Sequence, residues 1–497
     1  MFLRNFILTC SILVASAVAA APAAKGAKGT KAAKSDGSAR VFRAGAATSN
    51  VTPPLGSSMH GSMQDKIAKN IHDELHARCL VLDDGTNKLA FVVVDNCVIP
   101  REAYDAAKKM ASEATGIPTA NMMMSATHTH TSPTTTPAFR SRPDPKYVEF
   151  LVRRIADGIR RANNVLEPAK IGWGRGSVPG QVFQRRWFVE GGAPNPFGGI
   201  DQVKMNPLGV KQIKPAGPTD PEVMVIAVQS ASGRPISVFA NYSLHYVGGT
   251  NPGDASADYY GFFADRVMEL LKADRQDPPF VAMMSNGTSG NINNVNSAVP
   301  RLARKPYEQM RKVAHDVADE VVKVHQKIEY RDWVPLQSVQ KEITLGVRLP
   351  RPEEVERARG IVKQATGKGR NKDLQSIEEG YALETIDLTG YPEKVSLILQ
   401  AMRLGDLAIT AIPCEVFVEI GLELKKRSPF PTSFTVSLAN GYNGYLPTPE
   451  HHAIGGYETW RAKSSYLEVG ASPQIVSTLM ELVTDLHRPQ SQARESQ

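Results

Sequence analysis

The chain reads as α/β in the mixed α+β sense, a large mixed β-sheet core flanked by helices. Three observations predict this. From about residue 42, apolar runs of strand length alternate with longer amphipathic segments, the pattern of layered sheet and helix. Hydrophobic residues at 42% and charged residues at 22% supply a core and exclude a wholly disordered, collagen-like or coiled-coil chain. Several strand-length runs also end in His, Glu, Asn or Tyr, and open sheets build their sites at the carboxyl ends of strands.

Taken in order, residues 1–23 read as a signal peptide: Arg4 precedes an apolar stretch at 6–18, and small residues follow at 19–24. The stretch is short for a membrane span, and no later segment offers eighteen uninterrupted apolar residues. The expected location is therefore exported, periplasmic or secreted. Residues 24–41, rich in Ala, Gly and Lys, form a flexible linker, 42–488 a folded body, and 489–497 a disordered tail. Within the body, runs 79–82 and 89–94 flank Asp84-Gly85 as a hairpin, and a helix follows at 101–113. Residues 121–126 form a buried strand, and 147–162 a helix with Phe150, Leu151, Ile155 and Ile159 on its apolar face. Strands at 222–228 and 236–244 pair around Ser232-Gly233; a helix at 257–272, a strand at 280–284 and a helix at 306–325 come next. A strand pair around Gly405-Asp406, a helix at 415–426, a strand at 434–439 and a helix at 474–486 complete the order. Residues 191–221, rich in Gly and Pro, are too long for an ordinary connection and read as a rim or lid over a site.

Of the formal charge of +8, five units belong to residues 1–40, where six cations face Asp36 alone. The basic run 351–372 is diluted by Glu353, Glu354 and Glu356 and reads as a solvated helix and loop. No nucleic-acid partner is expected. Cys10 falls in the signal segment; Cys79, Cys97 and Cys414 have neither the number nor the spacing of a disulfide framework or a Cys-based zinc site, and read as small buried apolar groups.

The chemistry collects where strands end. Residues 121–126 run into Thr127-His128-Thr129-His130; 236–244 deliver His245; 407–414 deliver Glu415; 435–439 lead into Asn440-Gly441-Tyr442-Asn443-Gly444-Tyr445. An extended segment would point His128 and His130 to one face. Two imidazoles and a carboxylate form a catalytic-zinc ligand set that leaves room for water and substrate. Singly, each residue has a plainer reading: His245 as a hydrogen-bonded core histidine, Glu415 as a charge at a helix start, Tyr445 as aromatic packing. The turn at 285–294, Ser-Asn-Gly-Thr-Ser-Gly-Asn-Ile-Asn-Asn, offers glycine N–H groups for a substrate anion but lacks the spacing of a nucleophile elbow.

In this order the segments resemble the neutral/alkaline non-lysosomal ceramidase family, its catalytic N-terminal region only. The resemblance rests on Ser125-Ala126-Thr127-His128-Thr129-His130, Asn241-Tyr242-Ser243-Leu244-His245, Ser256-Ala257-Asp258-Tyr259-Tyr260-Gly261, Pro413-Cys414-Glu415, and Tyr442-Asn443-Gly444-Tyr445 with Gly456-Tyr457-Glu458. Met59-His60-Gly61 and Phe183-Gln184-Arg185-Arg186 are similar to its glycine turn and arginine segment. The resemblance implies that 42–488 is a ceramidase-like catalytic domain of sphingolipid metabolism, with one zinc ion per chain held by His128, His245, Glu415 and Tyr445. It further implies that His130 handles a proton, that Arg185 and Tyr457 hold the substrate's polar head or its developing oxyanion, and that Gly61 lines the pocket. The implied reaction hydrolyses the linear amide of N-acylsphingosine to a fatty acid and a sphingoid base, with water activated and the carbonyl polarised by zinc.

Where the family carries Gly-Asp-Val-Ser-Pro, this chain reads Gly290-Asn291-Ile292-Asn293-Asn294. Asn293 can donate a hydrogen bond but offers no hydroxyl nucleophile, so the expected chemistry is metal-assisted. The expected partner is a small-molecule lipid or amide substrate, met in transient contact with a membrane surface; no protein partner is inferable. Two alternatives stay open. One is a zinc hydrolase for a different N-acyl or cell-envelope substrate; the other is a non-catalytic envelope protein that binds a lipid or glycan on the same fold.

Overall fold

The computed structural model describes residues 40–300, 302–365 and 376–488. The expected signal segment, the tail, all but the end of the linker and the close of the basic run lie outside the described residues. Eight strands, β1 (Arg43–Asn50), β2 (His76–Asp83), β3 (Lys88–Val94), β4 (Met122–Ala126), β5 (Glu167–Ser177), β6 (Glu222–Ser230), β7 (Pro235–Tyr242) and β8 (Val281–Asn286), form one sheet in the order β8-β7-β6-β5-β1-β2-β3-β4. Its interior pairs are antiparallel, while both edge pairs, β3 with β4 and β7 with β8, are parallel. Four further strands, β9 (Leu336–Gly346), β10 (Lys394–Leu404), β11 (Leu407–Ala411) and β12 (Thr432–Val436), form a second sheet with β11 and β12 parallel. Parallel neighbours need crossovers. Helices α1 (Arg101–Thr115), α2 (Pro145–Asn164), α3 (Asp258–Leu270), α4 (Glu308–His325), α5 (Pro352–Ala365), α6 (Ile377–Asp387), α7 (Val418–Arg427), α8 (Pro449–Ile454) and α9 (Ala471–His487) complete the order, with α1, α3 and α7 making those three crossovers.

The expectation of a large mixed sheet flanked by helices is met, with two sheets stacked where the sequence suggested one. Strand periodicity sorts the layers: on β2, Leu80 and Leu82 point into the core between the sheets, while Cys79 and Val81 point to α1 and α2. Helices α3 and α4 cover the β6–β8 end of the same outer face, and α7 and α9 cover the far face of the second sheet. The result is helix, sheet, sheet, helix.

Three strands escape the sequence pattern, β1, β5 and β9. In β5, Gly172, Gly174 and Gly176 lie on one face, and a Cβ at any of them would collide with Val324, Ile328 or Glu320, on or just beyond α4. Glycine is unfavourable in an isolated strand; here it admits the helix. The helix at 147–162 forms with Leu151, Ile155 and Ile159 buried, but Phe150 is 39% exposed, one position off the buried stripe. Residues 191–221 are not structureless: strands Arg186–Pro194, Ile200–Met205 and Gln212–Pro215 form a small three-stranded antiparallel sheet with Arg186–Pro194 in the middle. The first part of the basic run is α5; Arg351, just before it, and Arg357 and Arg359 within it pair with glutamates at the surface. All three described cysteines are free and buried.

At one end the two sheets are sewn together. The Ala126 N–H donates to the Leu438 carbonyl at 3.2 Å, Asn440 to Met124 at 2.7 Å and Ser437 to Asn286 at 3.0 Å. The carboxyl ends of β4, β8 and β12 thereby share one floor.

Candidate metal centre

His128 follows β4, but not in extended backbone. Its φ is +74°, a left-handed conformation costly for a residue with a Cβ. Its N–H donates to the Asn96 carbonyl at 2.8 Å, just beyond β3, which holds the turn. His128 and His130 therefore meet because the chain turns between them; the extended-strand reading had the right outcome by the wrong route. His245 comes three residues after β7. Both histidine segments are tied down by the Ser256-Ala257-Asp258-Tyr259-Tyr260 segment. The Ser256 carbonyl accepts from Thr129 Oγ1 at 2.8 Å and Thr131 Oγ1 at 2.9 Å. The Asp258 carboxylate accepts the N–H groups of Val247 and Gly248, and the Tyr259 hydroxyl donates to the Leu244 carbonyl at 3.0 Å.

Glu415 does not open a helix. It sits in a two-residue strand, Glu415–Val416, that pairs in parallel with Tyr445–Leu446 and places Glu415 opposite Tyr445, while α7 begins only at Val418. Registered cross-strand neighbours project to the same face, so this pairing brings carboxylate and phenol together.

The three imidazoles are oriented alike. Each Nδ1 faces a backbone carbonyl: His128 that of Cys97 at 2.9 Å, His130 that of Gly61 at 3.0 Å, and His245 that of Ser289 at 3.2 Å. A carbonyl can only accept, so Nδ1 carries a proton in each ring and the Nε2 atoms are turned inward. These atoms converge: His128 Nε2 lies 3.1 Å from His245 Nε2, 3.2 Å from His130 Nε2 and 3.2 Å from Glu415 Oε2. Burial alone would lower the His128 pKa, but Cys97 and Glu415 push it well above the ordinary histidine range, so this ring is the cation of the cluster. Glu415 Oε2 is buried against it, while Tyr442 donates to Oε1 at 3.0 Å. Burial, reinforced by neighbouring cationic groups, holds His130 and His245 well below the ordinary histidine range and so keeps them neutral. Burial alone would raise the Glu415 pKa, but His128 and Arg185 hold it below the usual carboxylate range. Inward-facing Nε2 atoms beside a carboxylate fit a divalent cation, which would take the place of the proton on His128, and His128, His245 and Glu415 offer ligand atoms all within 4.8 Å of one another. Cys97, His128 and His130 form a second such group.

The cluster is reached from two cavities. One, about 660 Å³, is bordered by His128, His130, Glu415, Tyr445 and Tyr457 and walled by Phe139, Ile377, Tyr381, Tyr391 and Trp460; the small sheet contributes Ala193, Pro194, Val203 and Met205 to its lining. The other, about 520 Å³, is bordered by His245, Arg185 and Asn293, and its wall includes the amides of Gln181, Asn206, Asn294, Asn296 and Gln309. Gly61 lines the first cavity at φ +94°, and a Cβ there would overlap the His130 ring. Tyr457 is kept protonated, since burial and then Glu415 push its pKa up. Arg185 donates to Glu458 at 2.7 Å and to the Gly290 carbonyl at 2.7 Å, with its guanidinium over the Tyr445 ring. Arg186 flanks the same carboxylate at 3.6 Å, which joins the small sheet to the Tyr457–Thr459 turn. Asn293, on the wall of the second cavity, donates to Asn206 Oδ1 at 2.8 Å and accepts from the Val295 N–H.

One expectation fails. The glycine N–H groups of the 285–294 turn do not face a ligand, because Gly287 donates to the Tyr242 carbonyl and Gly290 to the Val416 carbonyl. Their conformations serve close backbone approach; a Cβ on Gly290 would strike the Glu415 carbonyl. Other residues at the centre carried no assigned role in the sequence: Tyr442 on Glu415, Tyr246 stacked on His130 at 3.6 Å between centroids, Cys97 Sγ 3.7 Å from His128 Nδ1, and buried His60, whose Nδ1 has no partner. The spacing of Tyr442 and Tyr445 about a glycine was the one available sign of the first.

Residues 42–306, half of the chain and more, match the family described as neutral/alkaline non-lysosomal ceramidase, N-terminal. The chain belongs to that family. Among solved structures, the neutral ceramidase from Pseudomonas aeruginosa shares the fold at a TM-score of 0.69 and 18% identity, over 90% of this chain and 75% of that one. A ceramidase complexed with C2 is similar at 0.67 and 17%, with the same coverage of 90% and 75%. No curated protein sequence matches the chain. This ceramidase-family chain is thus a ceramidase-like hydrolase by family and fold, carrying two residue groups able to hold a metal.

Proposed function

We propose that the chain is a zinc-dependent amidohydrolase that cleaves a linear N-acyl amide, as in N-acylsphingosine to fatty acid and sphingoid base. One observation carries the reading: three imidazole Nε2 atoms and a buried carboxylate oxygen converge at the base of a lipid-sized cavity with aromatic walls. Held by His128, His245, Glu415 and Tyr445, zinc would polarise the amide carbonyl and lower the pKa of water beside it. The other steps belong to the chain's own groups. His130, neutral and fixed by Gly61, takes the proton from the attacking water and returns it to the departing amine. The Tyr457 hydroxyl donates to the carbonyl oxygen as it gains charge, and Arg185, locked by Glu458, adds positive field beside it. The aromatic cavity takes the acyl chain and excludes water. The amide-lined cavity, with Asn293 on its wall, takes the polar amine half.

Metal analysis of purified protein should find about one zinc per chain. A panel of N-acylsphingosines and soluble N-acyl amides should be hydrolysed, with activity lost to chelator and restored by zinc. Full activity in chelator would sink the metal mechanism; turnover of soluble amides alone would leave the hydrolase and remove the ceramide.

A further inference from the structure

Fourteen large hydrophobic side chains are exposed among the described residues, and four of them, Ile200 (66%), Leu208 (60%), Val210 (37%) and Ile213 (61%), lie on the small three-stranded sheet of residues 186–215 and its connections. Scattered apolar residues on a surface need no explanation, but four along one short segment do. Ile377, at 54%, adds to them where α6 lines the same cavity. The small sheet also supplies Ala193, Val203 and Met205 to the cavity wall, so the element that bears the bare side chains borders the cavity. Its charge is lopsided. Lys204, Lys211 and Lys214 are answered at the surface by Glu190 alone, since Asp201 is buried and accepts from the Gly456 N–H and the Trp460 indole. Exposed aliphatic tips among lysines are the chemistry of a group that dips into an interface whose headgroups are anionic.

We propose that this small sheet is a membrane-docking surface that seats the cavity entrance on an anionic lipid bilayer. A substrate could then pass from the bilayer into the aromatic cavity without exposing its apolar chain to water, the largest cost such a molecule faces on leaving a membrane. The purpose of the surface rests on the lipid-amide reading; its binding test does not.

The test is sedimentation of the whole protein with phosphatidylcholine vesicles, with and without phosphatidylglycerol. Binding is expected to the anionic vesicles, weaker at high salt, and reduced about tenfold or more by the combined Ile200→Ser, Leu208→Ser and Ile213→Ser exchange. These positions are exposed, so the melting temperature should stay near that of the parent. The ratio of turnover on vesicle-borne ceramide to turnover on a soluble short-chain amide should fall with binding. Equal binding to neutral vesicles, no loss in the triple variant, or a dimer in solution that the triple variant splits would overturn the proposal. Vesicle binding without turnover of any amide would instead defeat the hydrolase reading and leave the docking surface standing.

Discussion

The floor of the centre and its roof are built on different principles. The floor is backbone: parallel strand ends sewn together by main-chain hydrogen bonds, with each histidine ring aimed by a carbonyl. The roof is side chain: a small three-stranded sheet held by Glu458 between Arg185 and Arg186, with aromatic rings from separate segments. Backbone geometry fixes ligand atoms closely, as metal chemistry requires, whereas side-chain joints tolerate variation in what enters.

The sharpest way to test that division is at the floor. His245→Ala should empty the site of zinc and lower hydrolysis on the order of 10³-fold, while leaving the fold; zinc retained at one per chain would show that another ligand set is used. Next comes the roof joint. Glu458→Gln leaves two buried guanidinium groups without their carboxylate and should cost about 3–5 kcal/mol in urea unfolding. A loss well under that would mean the joint is better solvated than the geometry indicates. Gly61→Ala sits between floor and roof: its methyl must displace the His130 ring, so kcat should fall about 10–100-fold with zinc still bound. Equal loss of zinc and activity would make His130 a ligand.

The smallest effect expected is a slope. Lys108 lies beneath the floor, donating to Asn440 Oδ1 at 2.8 Å, and burial pushes its pKa down to about 8. Between that value and the ordinary lysine range near 10.4, the unfolded chain holds a proton that the folded chain has released. Stability should therefore rise with pH across that window, and Lys108→Met should flatten the rise; an unchanged slope would assign it to another group.

The floor was legible in the sequence and the roof was not, for physical reasons. A ligand at a strand end leaves a local mark, an apolar run that stops at His128, His245 or Glu415. The roof depends on partners remote in sequence, as when Arg185 meets Glu458. The small sheet was hidden by the same Gly and Pro content that lets its strands turn tightly, and β5 by glycines selected for α4. Stacking of two sheets leaves no local sign, because inward alternation looks the same whichever layer answers it. The positive φ of His128 was equally silent, since it is imposed by Asn96 rather than preferred by histidine.

The seam between Met124 and Asn440 has a bearing on biogenesis. The donors it gathers come from the first third, the middle and the last fifth of the polypeptide, so a chain still being synthesised cannot assemble them. Tight ion capture should then come only after the last strands have docked, which makes a loaded ion a record that maturation has finished.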